Sequence, residues 1–171
     1  MNKFLSLLSL FCFAAASAAS AAVPQSIGEY DDWTAFYYKD GRNTVCYMAS
    51  APVKDEGKYT KRGDIYMVVT HRPQEKSFDV VNINAGYTYK DKSRVKIQIG
   101  NKTIDKLFTD GTMAWTINGQ VDAELIKEMK RGSRMIVTGT SSRGTQTKDT
   151  YSLKGFNKAY MAISKKCNKK N

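Results

Sequence analysis

Apolar and polar residues alternate along most of the chain after residue 32, the two-residue period of β-strands. The clearest case is the segment 94–99, where Val95, Ile97 and Ile99 share one face and charged or polar residues occupy the other. Turn sequences such as Asp-Gly, Gly-Asn and Asn-Gly separate the alternating segments. The predicted strands cover residues 33–38, 44–49, 64–70, 79–89, 94–99, 102–108, 113–117, 134–140 and 147–153.

Two segments repeat their apolar residues at the three- and four-residue steps of a helix. The first runs from Asp122, which is predicted to cap it, to about Lys130. The second follows Gly155 and places these residues on one face: Phe156, Ala159, Tyr160, Ile163 and Cys167. The pattern therefore predicts a mainly β fold, an antiparallel β-sandwich or partly open barrel with two short α-helices, one of them C-terminal.

The N-terminal segment has the composition of a secretory signal peptide. Lys3 precedes a short apolar run, and small residues around 18–22 offer cleavage sites before Val23. We predict a signal peptide over 1–22, a single β domain over 23–167 and a basic tail over 168–171. The product is therefore expected to be exported, to the periplasm or to the exterior of the cell.

Export affects whether the cysteines are expected to form a disulfide. Without the signal peptide, Cys46 and Cys167 remain, and an even number of cysteines in an oxidising compartment favours a disulfide. Two free thiols or a catalytic thiol pair are the alternatives. The pair is far apart in sequence, unlike the C-x-x-C motif of redox enzymes.

The charge is strongly basic, +11 for the whole chain and +10 once Lys3 is removed. Four lysines are concentrated in the C-terminal segment: Lys165, Lys166, Lys169 and Lys170. Such a surface favours anionic partners such as lipid headgroups, lipopolysaccharide, polyanionic glycans or nucleic acid. Among these we expect an anionic envelope component, or else another envelope protein, with peripheral membrane contact. A lysine-rich surface also serves solubility alone. The signal peptide makes nucleic acid an unexpected partner.

Candidate catalytic chemistry centres on the only histidine, His71. A periplasmic hydrolase would use His71 or a carboxylate pair, but no G-x-S-x-G motif positions a serine. The histidine and cysteine spacing suits no metal site, and no cofactor is expected. The tripeptide Arg62-Gly63-Asp64 matches an integrin-binding sequence, and adhesion would require it to lie at an exposed tip.

Several segments together resemble the invasion-associated locus B family of exported alphaproteobacterial proteins. They are Asp32-Trp33, Cys46 on the next strand, the segment from Arg62 to Pro73, and the segment from Asp149 to Phe156 with Ala159 after it. Many members carry a cysteine pair in the middle of the domain. This sequence lacks that pair, so it resembles a subfamily.

The resemblance implies a β-sandwich-like domain that is periplasmic or outer-membrane-associated and has no known enzymatic activity, in a family linked to bacterial entry into host cells. We therefore expect an exported, non-catalytic, envelope-associated binding module that is related to host interaction and has a basic surface for anionic partners. The residues expected to contribute to binding are Arg62, Gly63, Asp64, Lys165, Lys166, Lys169 and Lys170.

Overall fold

The computed structural model describes residues 23–169, so the predicted signal peptide and Lys170 lie outside the described part. Its strands are β1 (Gln25–Tyr30), β2 (Trp33–Asp40), β3 (Asn43–Ser50), β4 (Lys54–Gly57), β5 (Tyr66–Arg72), β6 (Ser77–Asn84), β7 (Val95–Ile99), β8 (Lys102–Asp110), β9 (Met113–Thr116), β10 (Arg134–Thr140) and β11 (Gln146–Ser152). The helices are α1 (Gly119–Arg131) and α2 (Phe156–Lys166), and one turn of 3₁₀ helix covers Pro73–Glu75.

The eleven strands form a single antiparallel sheet in the order β1-β2-β3-β5-β6-β9-β8-β7-β10-β11-β4. The sheet does not close, because β1 and β4 remain as its edges. The predicted fold class is confirmed: the protein is mainly β, its antiparallel sheet is not closed, and it has two helices, one of them C-terminal.

One face of the sheet forms the core. The register aligns Ala35, Met48, Val69 and Val81 across four neighbouring strands, and all four are fully buried. Helix α1 lies against β6, β8 and β9, and α2 lies against β1, β2 and β3. In residues 23–169, neither helix combines the length and the apolar character that crossing a membrane requires.

The apolar face predicted for α2 is buried from Phe156 to Cys167. The ring of Phe156 meets the indole of Trp33 edge-on at 5.0 Å. At the other end of the helix, Cys167 forms a disulfide with Cys46 on β3, with their Cα atoms 6.0 Å apart. The predicted pairing is confirmed, and it attaches the C-terminal helix to the first strands.

The strand prediction was wrong in three places. The segment 79–89 was expected to be one strand, but β6 ends at Asn84 and the chain turns at Gly86, whose φ is +68°. Strands β1 and β4 were missed because they lie at the sheet edges and carry mostly polar, exposed residues. Edge strands need no alternating apolar face, so the pattern did not reveal them.

The predicted capping role of Asp122 was also wrong. Asn118 is the cap of α1, and its side chain accepts hydrogen bonds from the backbone of Gln120 and Val121. Asp122 is buried, and its carboxylate accepts bonds from the Val81 amide (2.9 Å) and the Thr116 hydroxyl (2.7 Å). The residue fastens α1 to the sheet instead of starting the helix.

Candidate anion-binding cleft

A cleft of about 1030 Å³ lies between the two helices. Ala123, Ile126, Lys127, Lys130 and Arg131 of α1 form one side, and Asn157, Tyr160, Met161, Ser164 and Lys165 of α2 form the other, with Asp79 and Lys169 completing the lining. The two helices meet here because the Asn157 side chain donates a hydrogen bond to the Lys130 carbonyl at 2.9 Å. We call this site the helix cleft.

The helix cleft is strongly basic. Five of its side chains are cationic, Lys127, Lys130, Arg131, Lys165 and Lys169, and Asp79 is the one carboxylate among the described lining residues. Asp79 already pairs with Lys169. Within residues 23–169, the remaining four cations have no ion-pair partner. The cleft therefore presents four uncompensated positive charges.

Tyr160 organises the basic groups at the inner end of the cleft. Its hydroxyl donates to Oδ1 of Asp79 at 2.7 Å and contacts the ammonium of Lys169. The ammonium of Lys130 lies 3.8 Å from the centre of the Tyr160 ring, a cation–π contact. Burial, followed by repulsion from Lys169, lowers the pKa of Lys130. The negative charge of an anion beside Lys130 would offset this repulsion and favour the charged form of the lysine.

The structure separates the lysines that the sequence grouped together. Lys165 and Lys169 line the helix cleft, whereas Lys166 points to the other side of α2, with its ammonium 3.8 Å from the Tyr37 ring centre. Lys170 lies outside the described residues. The contribution of α1 comes from Lys127, Lys130 and Arg131, which the sequence pattern did not assign to a site.

His71 is fully buried on β5, behind the helix cleft. Its Nδ1 accepts a hydrogen bond from the backbone amide of Asp79 at 3.1 Å, and its Nε2 lies 3.2 Å from Oγ of Ser164. Because a backbone amide can only donate, Nδ1 carries no proton, and the neutral ring holds its proton on Nε2. Nε2 therefore donates to Ser164.

This arrangement is opposite to that of a serine hydrolase. A catalytic histidine keeps its Nδ1 proton for a carboxylate and uses a bare Nε2 to accept the serine proton. Here Oδ1 of Asp79 is 3.9 Å from Nδ1, beyond hydrogen-bond distance. Burial also lowers the pKa of His71 to about 4, although the charge of Asp79 opposes the shift. The geometry argues for a structural histidine.

The tripeptide 62–64 is exposed only in part, because the side chain of Arg62 is held inside the protein. The guanidinium of Arg62 makes two hydrogen bonds of 2.6 Å to the carboxylate of Asp149, and both side chains are 3% exposed. Its Nε donates to the Ala85 carbonyl at 2.7 Å. Asp64 is exposed, but Arg62 is fully engaged within the protein. The tripeptide is therefore not presented as an adhesion motif.

The fold and cleft define a class of protein. An open antiparallel sheet carries two helices on its buried face, a disulfide joins the end of the second helix to the sheet, and a basic cleft lies between the helices. The family model described as Invasion associated locus B (IalB) protein matches residues 33–164, and the chain belongs to this family. The match extends from the start of β2 almost to the end of α2. No curated protein and no solved structure matches the chain.

Proposed function

We propose that this protein is an exported, non-catalytic binding module of the cell envelope that takes the phosphate headgroup of an anionic lipid in its helix cleft. The observation that carries the proposal is the set of four unpaired cations that α1 and α2 bring together around one cleft. Phosphate oxygens are strong acceptors for such groups.

The walls of the cleft fit a ligand that is both anionic and partly apolar. Met161 lines the cleft and is 63% exposed, whereas Ile126 on the opposite wall is only 4% exposed. A lipid headgroup would place its phosphate against the lysines and its first apolar atoms against Met161. The binding would be peripheral, in keeping with an electrostatic contact to a membrane surface.

The proposed location rests on two features. The N-terminal pattern is that of a signal peptide, and the Cys46–Cys167 disulfide requires an oxidising compartment. An envelope protein that holds anionic lipid headgroups could also contact a host-cell surface, which is the setting in which the family was named.

The test compares binding of the oxidised protein to phosphatidylglycerol and phosphatidylcholine vesicles. The variant replaces Lys127, Arg131 and Lys165 with Gln, which leaves the contact between Lys130 and Tyr160 intact. A matched control replaces the exposed Arg94, Lys96 and Lys148, which lie outside the cleft, and so removes the same charge. Each basic residue near an anionic surface contributes about 1 kcal/mol, so the cleft variant should bind about 100-fold more weakly.

The control variant should keep most of its affinity, and added salt should weaken binding of the unmodified protein. Equal losses in the two variants would mean that net charge, and not the helix cleft, governs binding. Equal binding to both kinds of vesicle would also contradict the proposal.

A further inference from the structure

A second pocket, of about 540 Å³, lies beside β4 and the turn between β10 and β11. Three segments form it: 58–63, 86–88 and 141–147. Within the described part of the chain, its lining consists of hydroxyl-bearing side chains, basic side chains and two glycines, with no carboxylate and no aliphatic side chain. We call it the hydroxyl pocket. It shares no lining residue with the helix cleft.

The base of the hydroxyl pocket is rigid. Arg62 is fixed by Asp149 and lies against the rings of Tyr59 and Tyr87, with its guanidinium carbon 5.4 and 5.0 Å from their centres. The hydroxyl of Tyr87 is in turn hydrogen bonded to that of Thr147 at 2.6 Å. The aromatic rings are therefore held in place before any ligand arrives.

The walls are also ordered by backbone contacts. The Gly63 amide donates to the Gly86 carbonyl at 2.8 Å, and a Cβ on Gly86 would lie 2.4 Å from the Gly63 oxygen. The Ser142 amide donates to the Thr88 carbonyl at 2.8 Å. Because these segments are held to each other, the pocket exists without rearrangement, which lowers the cost of binding.

The rim supplies unused polar groups. Lys58, Lys61 and Arg143 line the pocket and have no ion-pair partner within residues 23–169. Asp149 neutralises Arg62, so the net charge facing a ligand is that of these three cations. The side chains of Thr88 and Ser142 make no hydrogen bond inside the described chain and can donate to or accept from a ligand.

We propose that the hydroxyl pocket binds an acidic saccharide. Sugar rings carry hydroxyls that pair with Ser and Thr side chains, and their apolar faces pack on aromatic rings. Cations at the rim add recognition of a carboxylate or a sulfate on the sugar. The volume lies in the range of small-molecule pockets and is larger than an inorganic anion requires.

Isothermal titration calorimetry on the oxidised protein tests the proposal with four probes. A galacturonic acid trimer and a heparin tetrasaccharide represent carboxylated and sulfated sugars. A galactose trimer and inorganic phosphate are the neutral and the sugar-free controls. At least one acidic saccharide should bind ten or more times more tightly than both controls, and which one binds distinguishes a uronate from a sulfated source.

Three variants locate the site. Lys61→Gln with Arg143→Gln should weaken binding of the acidic saccharide at least tenfold, while Lys127→Gln with Arg131→Gln in the helix cleft should leave it unchanged. Ser142→Ala changes no charge and should weaken binding about fivefold. All these side chains are exposed, so thermal unfolding should confirm that the variants fold.

The proposal is overturned if neither acidic saccharide binds, if phosphate or the galactose trimer binds as tightly, or if the helix-cleft variant loses as much affinity as the hydroxyl-pocket variant. Lipid binding at the helix cleft is measured separately with vesicles, so failure of one proposal leaves the other standing.

Discussion

Arg62 and Asp149, which are 87 positions apart in sequence, form a bidentate ion pair in which each side chain is only 3% exposed. Burial opposes the charge on Arg62, but the hydrogen bonds and the charge of Asp149 raise its pKa above the ordinary value. The pair links the segment before β5 to β11 and supports the hydroxyl pocket.

Breaking this pair on one side should be costly. We expect Asp149→Asn to lower the free energy of unfolding by about 3–5 kcal/mol, because the Arg62 charge would remain buried without its partner. The double variant Arg62→Met with Asp149→Leu should lose clearly less than the sum of its single changes. Urea unfolding measures all of these.

The exposed pair of Lys54 and Glu56 provides the control, since its side chains are 64% and 39% exposed. Glu56→Gln should leave the free energy of unfolding almost unchanged, because solvent screens an exposed pair. A similarly small effect of Asp149→Asn would show that the buried pair contributes little to stability.

Gly155 should not tolerate a side chain. Its φ is +85°, and a Cβ would lie 1.8 Å from the carbonyl oxygen of Tyr30, so the start of α2 and the end of β1 would have to separate. Gly144 has the same φ of +85°, but a Cβ there would meet nothing within 4 Å.

The two glycines therefore separate backbone strain from collision. Gly144→Ala should cost about 1–2 kcal/mol from the left-handed conformation alone. Gly155→Ala should cost at least about 2 kcal/mol more, because tightly packed backbone must move. Thermal unfolding of both variants measures the difference. Equal decreases in melting temperature would mean that the backbone at Tyr30 moves aside at little cost.

His71 should make stability depend on pH. Its pKa is about 4 in the folded protein and near 6.5 in the unfolded chain, so between these values only the unfolded state binds the proton. The stability present above pH 6.5 is lost as the pH falls towards 4, by about 3 kcal/mol in total.

A His71→Gln variant lacks this titration. The unfolding free energy of the unmodified protein should therefore fall by about 3 kcal/mol relative to that of the variant between pH 7.5 and pH 4. Urea unfolding at several pH values with the disulfide intact provides the measurement. A constant difference would show that His71 does not titrate in this window.

The disulfide joins residues 121 positions apart, so it restricts most of the unfolded chain. Replacing both cysteines with Ala should lower the free energy of unfolding by about 4–5 kcal/mol on the chain-entropy model. Reductant should lower the free energy of unfolding of the unmodified protein by a similar amount and leave that of the double variant unchanged. A reductant that changes neither protein would contradict the prediction.

The sequence predicted the parts of the fold that depend on local periodicity. The buried face of α2 and the strand segment 94–99 follow directly from residue spacing, and the disulfide follows from export and cysteine number. The edge strands β1 and β4 were not predicted, because most of their residues are polar and exposed and show no apolar alternation. Asp122 was misassigned because its partner, the Val81 amide, belongs to a distant strand.

The candidate sites depend on long-range packing, so the sequence indicated some of their residues but not the sites themselves. The basic character of Lys127, Lys130 and Lys165 is evident from the sequence, but their convergence requires α1 and α2 to meet. The hydroxyl pocket was not predicted at all. Its serines and threonines come from three separate segments of the chain, and Arg62 was noted only within sequence motifs.

The position of Cys167 between Lys165 and Lys169 also affects how the protein should be produced. Recombinant synthesis in a reducing cytoplasm would yield chains in which the last turn of α2 lacks its covalent link to β3, so that Lys165 and Lys169 would be held less firmly at the helix cleft. A ligand screen on such material would return false negatives. Periplasmic expression, checked by a thiol assay before any screen, avoids that error.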